Sequence, residues 1–266
     1  MNYYNELDLN AAEWLRNLIA AGRLPDGEVD QRSIEDVTPA DLRGYTQCHF
    51  FAGIGGWPLA LALAGWPTAK PVWTGSCPCQ PFSTAGRHGG EADKRHLWPE
   101  FQRLIAECRP PVVFGEQVAS KAGKAWLSGV RTDLEALGYG VGCADLCAAS
   151  VGAPHIRQRL WWVADAQRSR LMDATPHNGE HTQEGRPQWD APLDQREPSQ
   201  GCGDESPWAD SISIPCLDNK SRRVEPGVAP LADGFPGRVG QLRAYGNAIV
   251  PQVAAEFIAA FMENKN

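Results

Sequence analysis

Long apolar runs are missing from this chain. None approaches the ~18 residues that a membrane-spanning helix requires, which excludes such a span. The opening residues, MNYYNELD, lack a basic stretch followed by an apolar one, so no signal peptide is expected. The 8 cysteines follow no framework spacing, which fits a reducing cytoplasm. The C-x-C pair at Cys77 and Cys79 has no second Cys/His pair at ligand spacing behind it, which argues against a metal site. Positive charge is in short supply, 25 Lys and Arg against 32 Asp and Glu. The resulting net charge of −7 argues weakly against a nucleic-acid partner, although local clusters outweigh the total. There are no internal repeats.

The 266 residues that are present suffice for one good core and a small second lobe. Met1–Glu6 reads as a strand. Asp8 then caps a helix whose apolar stripe is Leu9, Ala12, Leu15, Leu18 and Ile19. Residues 28–37 read as a second strand and its exit, and 47–52 as a third strand running into Gly53-Ile54-Gly55-Gly56. A helix to Ala64, a strand before Cys79, a helix over 97–107 and a strand from Pro111 to Phe114 follow, the last ending in Gly115-Glu116-Gln117. A helix over 121–137, strands over 139–147 and 159–164, and a closing helix from Ile249 to Met262 complete the series. This alternation predicts an α/β fold, a parallel sheet with helices on both faces. From about Asp165 the texture turns polar and rich in Pro and Gly. The expected division is a catalytic domain over 1–164, a small loop-rich lobe over 165–221, and a return to the catalytic domain over 222–266.

Chemistry concentrates in PVWTGSCPCQPFS, residues 71–83. Pro78 and Pro81 pin φ on both sides of Cys79 and remove two backbone donors. Cys79 is thereby set on a stiff corner past a strand end, where open α/β sheets place reactive groups. The two cysteines read either as small buried hydrophobes or as carriers of a nucleophilic thiolate. FFAGIGG, between a strand and a helix, is a tight turn that lets a ligand approach helix N-terminal amides. An acid at the end of a neighbouring strand can hold both ribose hydroxyls of a nucleoside cofactor, and Glu6 is the best candidate.

Taken together, these stretches resemble the DNA cytosine-5 methyltransferases. FAGIGG (51–56) is similar to their S-adenosylmethionine motif and PCQPFS (78–83) to their nucleophile motif. LWPEFQRLI (97–105) looks like the helix motif that follows, and GEQV (115–118) like Glu-Asn-Val, with Gln117 where Asn is usual. GAPHIRQRLWWVA (152–164) resembles Gln-x-Arg-x-Arg, with His155 replacing Gln, and YGNAIVPQVA (245–254) resembles the last motif. In the family the ribose-acid and adenine strands come between the glycine turn and the nucleophile. Here that interval holds one helix and one strand. YYNELDLNAAEWL and RSIEDV, at the amino terminus, look like the missing pair, with Ser33 where Asp would stand and Asp30 and Asp36 nearby. The resemblance therefore implies a Rossmann-like S-adenosylmethionine-dependent fold with reordered strands that keep their neighbours.

It implies a cofactor site drawn from Glu6, Leu7, Ser33, Ile34, Phe51, Gly53, Gly55, Gly56, Pro78, Leu97 and Asn247. Cytosine C5 becomes nucleophilic once a thiolate adds at C6, the role given to Cys79. Glu116 suits the proton donor at N3, Arg159 the group on the cytosine O2, and Arg157 the support of the site. The base must leave the duplex, so double-stranded DNA is the expected partner. Gln80 in the nucleophile motif, Ser83, Arg87, Lys94 and Arg95 on a glycine-rich loop over 83–96, and Arg168 and Arg170, at the head of a target-recognition lobe, are the expected DNA contacts. Arg186, Arg196, Lys220, Arg222 and Arg223 extend that basic set. No metal is expected, and a monomer suffices for an asymmetric duplex clamp. Compactness and reordered motifs suit a phage or mobile-element enzyme in a bacterial cytoplasm. Two other readings remain open: hydrolytic deamination through the same Cys79 adduct without a cofactor, and a non-catalytic protein that flips or shields bases.

Overall fold

The computed structural model describes residues 1–78, 97–153, 155–168, 212–215, 221–224 and 246–265. Among them, a seven-stranded sheet carries the architecture. Its strands are β1 (Asn2–Asn5), β2 (Gly27–Asp30), β3 (Gln47–Phe50), β4 (Val72–Gly75), β5 (Val112–Val118), β6 (Gly140–Cys147) and β7 (Gln158–Asp165). The spatial order is β2-β1-β3-β4-β5-β7-β6. The strand feeding the glycine turn, β3, therefore lies directly beside β1, which leads to Glu6, and β1 lies beside β2. This is the reordered arrangement with conserved neighbours that the motif order implied.

The sheet is not wholly parallel. β7 runs antiparallel to both β5 and β6. The reason is the short connection from β6, ten residues over 148–157, whose described part holds a 3-10 turn, Ala148–Val151. A parallel return needs a crossover of a dozen or more residues, usually a helix. The sequence reading also placed Glu116 at a strand end. It lies inside β5, because β7 continues the ladder by pairing Trp161 with Glu116 and Arg159 with Val118. Conversely, β3 stops at Phe50, two residues short of expectation, because Phe51 turns to φ 52°.

Helices cover both faces. α1 (Leu9–Ala20), α2 (Gly56–Leu63) and the C-terminal α5 (Pro251–Glu263) lie on one side; α3 (Trp98–Cys108) and α4 (Lys121–Ala136) lie on the other. Asp8 caps α1 as expected, its carboxylate accepting from the Asn10 and Ala11 N–H groups. Leu9 departs from the expected buried stripe and is 70% exposed; Ala11, Ala12 and Leu15 carry the packing. Alternation along β7 sends Trp161 to the α2/α5 side and Trp162 to the α3/α4 side, both fully buried. Trp162 lies across Gly115, where a Cβ would come within 2.1 Å of its ring. That glycine keeps β5 and β7 in register just behind Glu116. A two-stranded antiparallel pair, β8 (Ile212–Pro215) and β9 (Ser221–Val224), straddles the boundary expected at residue 221.

Candidate active site

The carboxyl ends of β1, β3, β4 and β5 and the start of β7 meet along one edge of the sheet. A cavity of about 710 Å³ opens there. Such an edge is where open α/β sheets hold their ligands.

One arm of the cavity is built by β1 and β3. Parallel pairing sets Asn5 opposite Phe50, so the residues that follow each strand emerge side by side. Glu6 meets the glycine turn directly: the Gly53 N–H donates to its carboxylate at 2.7 Å and the Asp8 N–H at 2.9 Å. Burial pushes the Glu6 carboxyl above its usual range, and these two N–H groups pull it partly back. Phe51, Gly53 and Gly56 from the turn, and Leu7 beyond Glu6, line the cavity. Gly55 does not line it. It begins α2 at φ 84°, and a Cβ there would meet Leu24 at 2.4 Å, so its work is conformation and packing.

Ser33 and Ile34 also line the cavity. The Ser33 hydroxyl is already engaged as cap of the 3-10 turn Ile34–Asp36, bonding Glu35. Asp30 is held by the Tyr3 hydroxyl at 2.7 Å and by Arg32 at 2.6 Å. Neither Asp30 nor Asp36 reaches the cavity, so neither takes the place of the expected adenine-side acid. Pro78, Leu97 and Asn247 close this arm.

The other arm is charged. Glu116 is buried on β5, and the Arg159 Nε lies 2.7 Å from its carboxylate. Burial is the largest influence on Glu116 and raises its carboxyl above the usual range. Arg159, then Arg157, then a bond from Ser76 act against it. Arg157 stands just before β7 with φ 22°, and its guanidinium donates to the carbonyls of Gly246 at 2.9 Å and Ala248 at 2.6 Å. Cys77 is buried in the core, and burial pushes its thiol up, so it stays protonated. This leaves Cys77 as the small buried hydrophobe of the C-x-C pair.

Cys79 lies outside the described residues, as do Gln80, Ser83, Arg87, Lys94, Arg95 and Arg170. Arg168 is described and stands apart. β7 runs antiparallel, so its end, Asp165, pairs with Val112 at the start of β5. Arg168 follows on the opposite edge, bonding the Asn264 carbonyl at 3.3 Å. It is removed from Glu116 by at least four strand residues, roughly 13 Å, and does not join the site.

Several lining residues escaped the sequence reading, among them Ser76, Trp57 and Asn5. Ser76 was legible only as a turn signal, yet it bonds Glu116 and accepts the Trp57 indole N–H at 3.0 Å. Trp57, the first residue after the glycine run, carried no separate signal. Asn5 donates to the Arg32 carbonyl at 2.9 Å and fixes the exit of β2 beside β1.

A mixed α/β sheet with a glycine turn, a neighbouring acid and a buried acid–arginine pair at its carboxyl edge defines a Rossmann-like enzyme domain. Comparison with known proteins makes this specific. Residues 68–200, half of the chain, match the family described as C-5 cytosine-specific DNA methylase. The chain belongs to that family. It is 31% identical over 121 residues to the type II methyltransferase M1.HphI of Haemophilus parahaemolyticus, covering 43% of this chain and 32% of that protein. It is 30% identical over 163 residues to M.AgeI of Thalassovita gelatinovora, covering 59% and 34%. The matched stretches thus span about a third of these relatives' length. A solved structure of the Entamoeba histolytica methyltransferase EhMeth aligns with TM-score 0.40 and 15% identity over 68% of this chain and 55% of that one. No helix among the described residues is long and apolar enough to cross a membrane, and no group of residues there is arranged to hold a metal ion.

Proposed function

We propose that this protein is an S-adenosylmethionine-dependent DNA cytosine C5 methyltransferase working through a covalent Cys79–C6 adduct. The observation that carries the reading is a single cavity with two arms: a carboxylate joined to a glycine-turn amide on one side, and a buried acid–arginine pair on the other. The volume suits a nucleoside-sized ligand together with a base. The chemistry of the first arm fits S-adenosylmethionine. Glu6 would hold ribose hydroxyls, the amides at the start of α2 would face the amino-acid end, and Phe51, Ile34 and Leu97 would flank the adenine. Bound there, the cofactor supplies an electrophilic methyl group.

The chain's own residues do the rest. Cys79, pinned between two prolines, adds as thiolate to C6 of an extruded cytosine, which turns C5 into the nucleophilic carbon. Negative charge develops at N3. Glu116, whose burial raises its carboxyl above the usual range, donates there. Arg159 is fixed on Glu116 and offers its remaining N–H groups to the cytosine O2. Ser76 and Trp57 brace the carboxyl from the β4 side. After methyl transfer, loss of the C5 proton and the sulfur restores the aromatic ring.

Residues 165–221, with the β8–β9 pair, form the target-recognition lobe in this reading, and the glycine-rich loop over 83–96 closes over the flipped base. Gln80, Ser83, Arg87, Lys94, Arg95 and Arg170 supply DNA contacts. Cofactor-free deamination drew on the displaced cofactor strands; their adjacency in the sheet weighs against it. The decisive experiment is incubation of the chain with labelled S-adenosylmethionine and duplex DNA, followed by nucleoside analysis. Label in 5-methylcytosine is expected; label elsewhere, or none, rejects the reading.

The cofactor arm has its own test. Glu6→Ala removes a charged acceptor, and such bonds contribute ~1.5–3 kcal/mol. Its affinity for S-adenosylhomocysteine, measured calorimetrically, should fall by about 10- to 100-fold.

A further inference from the structure

We propose that Arg157 is a positioning residue that braces the two arms of the cavity, tying the segment Gly246–Ile249 to the Glu116–Arg159 pair. The ligand named in the tests below rests on the methyltransferase reading; the brace itself does not.

Four observations carry it. Arg157 spends donors of one guanidinium nitrogen on two carbonyls of the same short segment, those of Gly246 and Ala248. It does so from a left-handed backbone, φ 22°, that a residue with a Cβ rarely adopts and that the surroundings must hold in place. The far end of the segment is seated on the cofactor turn: Ile249 is 8% exposed, and its Cγ1 lies 2.7 Å from where a Cβ of Gly56 would stand. Gly246, Asn247, Ala248 and Ile249 all line the cavity. The segment therefore bridges from the start of α2 to the start of β7, and a single residue, Gln158, separates its anchor, Arg157, from Arg159.

Arg157 also belongs to the electrostatics of Glu116. Among the described residues, the groups facing that carboxyl are Arg157 and Arg159 from the β7 side and Ser76 after β4, with the protonated Cys77 next to Ser76. Burial raises the carboxyl, and the Arg157 charge is among the forces holding it down. One side chain thus connects the order of the cofactor wall with the proton affinity of the base-side acid. A residue that merely filled space would do neither.

The test uses Arg157→Gln and Arg157→Lys in the full chain. In Arg157→Gln the amides of Ala248 and Ile249 should exchange hydrogen about tenfold faster or more without any ligand, with β3 and β5 unchanged. Affinity for S-adenosylhomocysteine should fall by roughly 5- to 30-fold, in keeping with the loss of charge-assisted bonds. The alkaline limb of methyl transfer should move to higher pH, because removing a positive neighbour lets Glu116 keep its proton longer. Arg157→Lys, with the charge kept but a single donor point, should restore the limb and only part of the affinity, and it decides the matter if the glutamine variant does not fold. Ile249→Ala frees the other end: cofactor affinity should fall with the alkaline limb unmoved. The double variant should lose less than the product of the two single losses, since both act through one segment. Unchanged exchange at Ala248 and Ile249, or strictly multiplicative losses, overturns the brace. A wild type that neither binds S-adenosylhomocysteine nor methylates DNA defeats the methyltransferase reading instead, and the exchange measurement still decides on Arg157.

Discussion

Glu116→Gln is expected to slow methyl transfer by about 10²- to 10³-fold, within the range attributed to a positioned general acid. Affinity for S-adenosylhomocysteine should stay nearly unchanged, because Glu6 and the glycine turn belong to the other arm. The amide keeps the shape of the carboxyl but has no acidic proton to give and a weaker hold on Arg159, so both the donor at N3 and the group aimed at O2 suffer. The pH dependence carries the sharper signature. Burial lifts the Glu116 carboxyl above its usual range, so the acid form is fully present below that raised value and is lost as pH climbs through it. Wild-type transfer should therefore show an alkaline limb at the raised value, and the glutamine variant should lack that limb. Folding has the same sign: the proton is bound more tightly in the folded state, so Glu116 contributes less to stability as pH rises from the ordinary carboxylate range through its folded value. A glutamine variant that transfers methyl groups at the wild-type rate would remove Glu116 from the chemistry.

Cys79→Ala is expected to abolish turnover altogether, a loss of roughly four orders of magnitude or more, as when an enzyme nucleophile is deleted. Duplex DNA carrying 5-fluorocytosine separates this from a folding defect. The fluorine cannot leave as a proton does, so the wild type should stay covalently attached after methyl transfer, and the alanine variant should form no adduct while still binding S-adenosylhomocysteine. Cys77→Ala is the control that the fold supplies. That thiol is buried and held protonated, so its removal should alter stability without preventing the adduct. An adduct on Cys77, or transfer surviving in Cys79→Ala, would sink the covalent reading.

Much of the fold was legible because its signals are local. The Asp8 cap, the FAGIGG turn and the alternation of apolar strands with amphipathic helices depend on residues close in sequence. The displaced strands could be read because Glu6 and the glycine turn are each recognisable and pair by a rule of neighbours. The direction of β7 was not legible: it depends on a connection too short for a crossover, and no residue within β7 announces it. Arg168, expected among the DNA contacts at the head of the lobe, consequently lies on the edge opposite Glu116. Ser76 stayed hidden for a related reason. Its partner Glu116 is 40 residues away, and only the β4–β5 pairing, which sets Gly75 opposite Gly115, brings them together.

The antiparallel run of β7 has a consequence for engineering. Arg168 lies on the amino edge of the sheet and Gly246 on the carboxyl edge, and between them only β8 and β9 are described. A strand of seven or eight residues separates those rims, roughly 25 Å. Whatever sequence is grafted between them in place of the native one must be at least about eight residues long even when fully stretched. Segments inserted into this scaffold have to be designed as spans anchored on two rims rather than as knobs exchanged at one hinge.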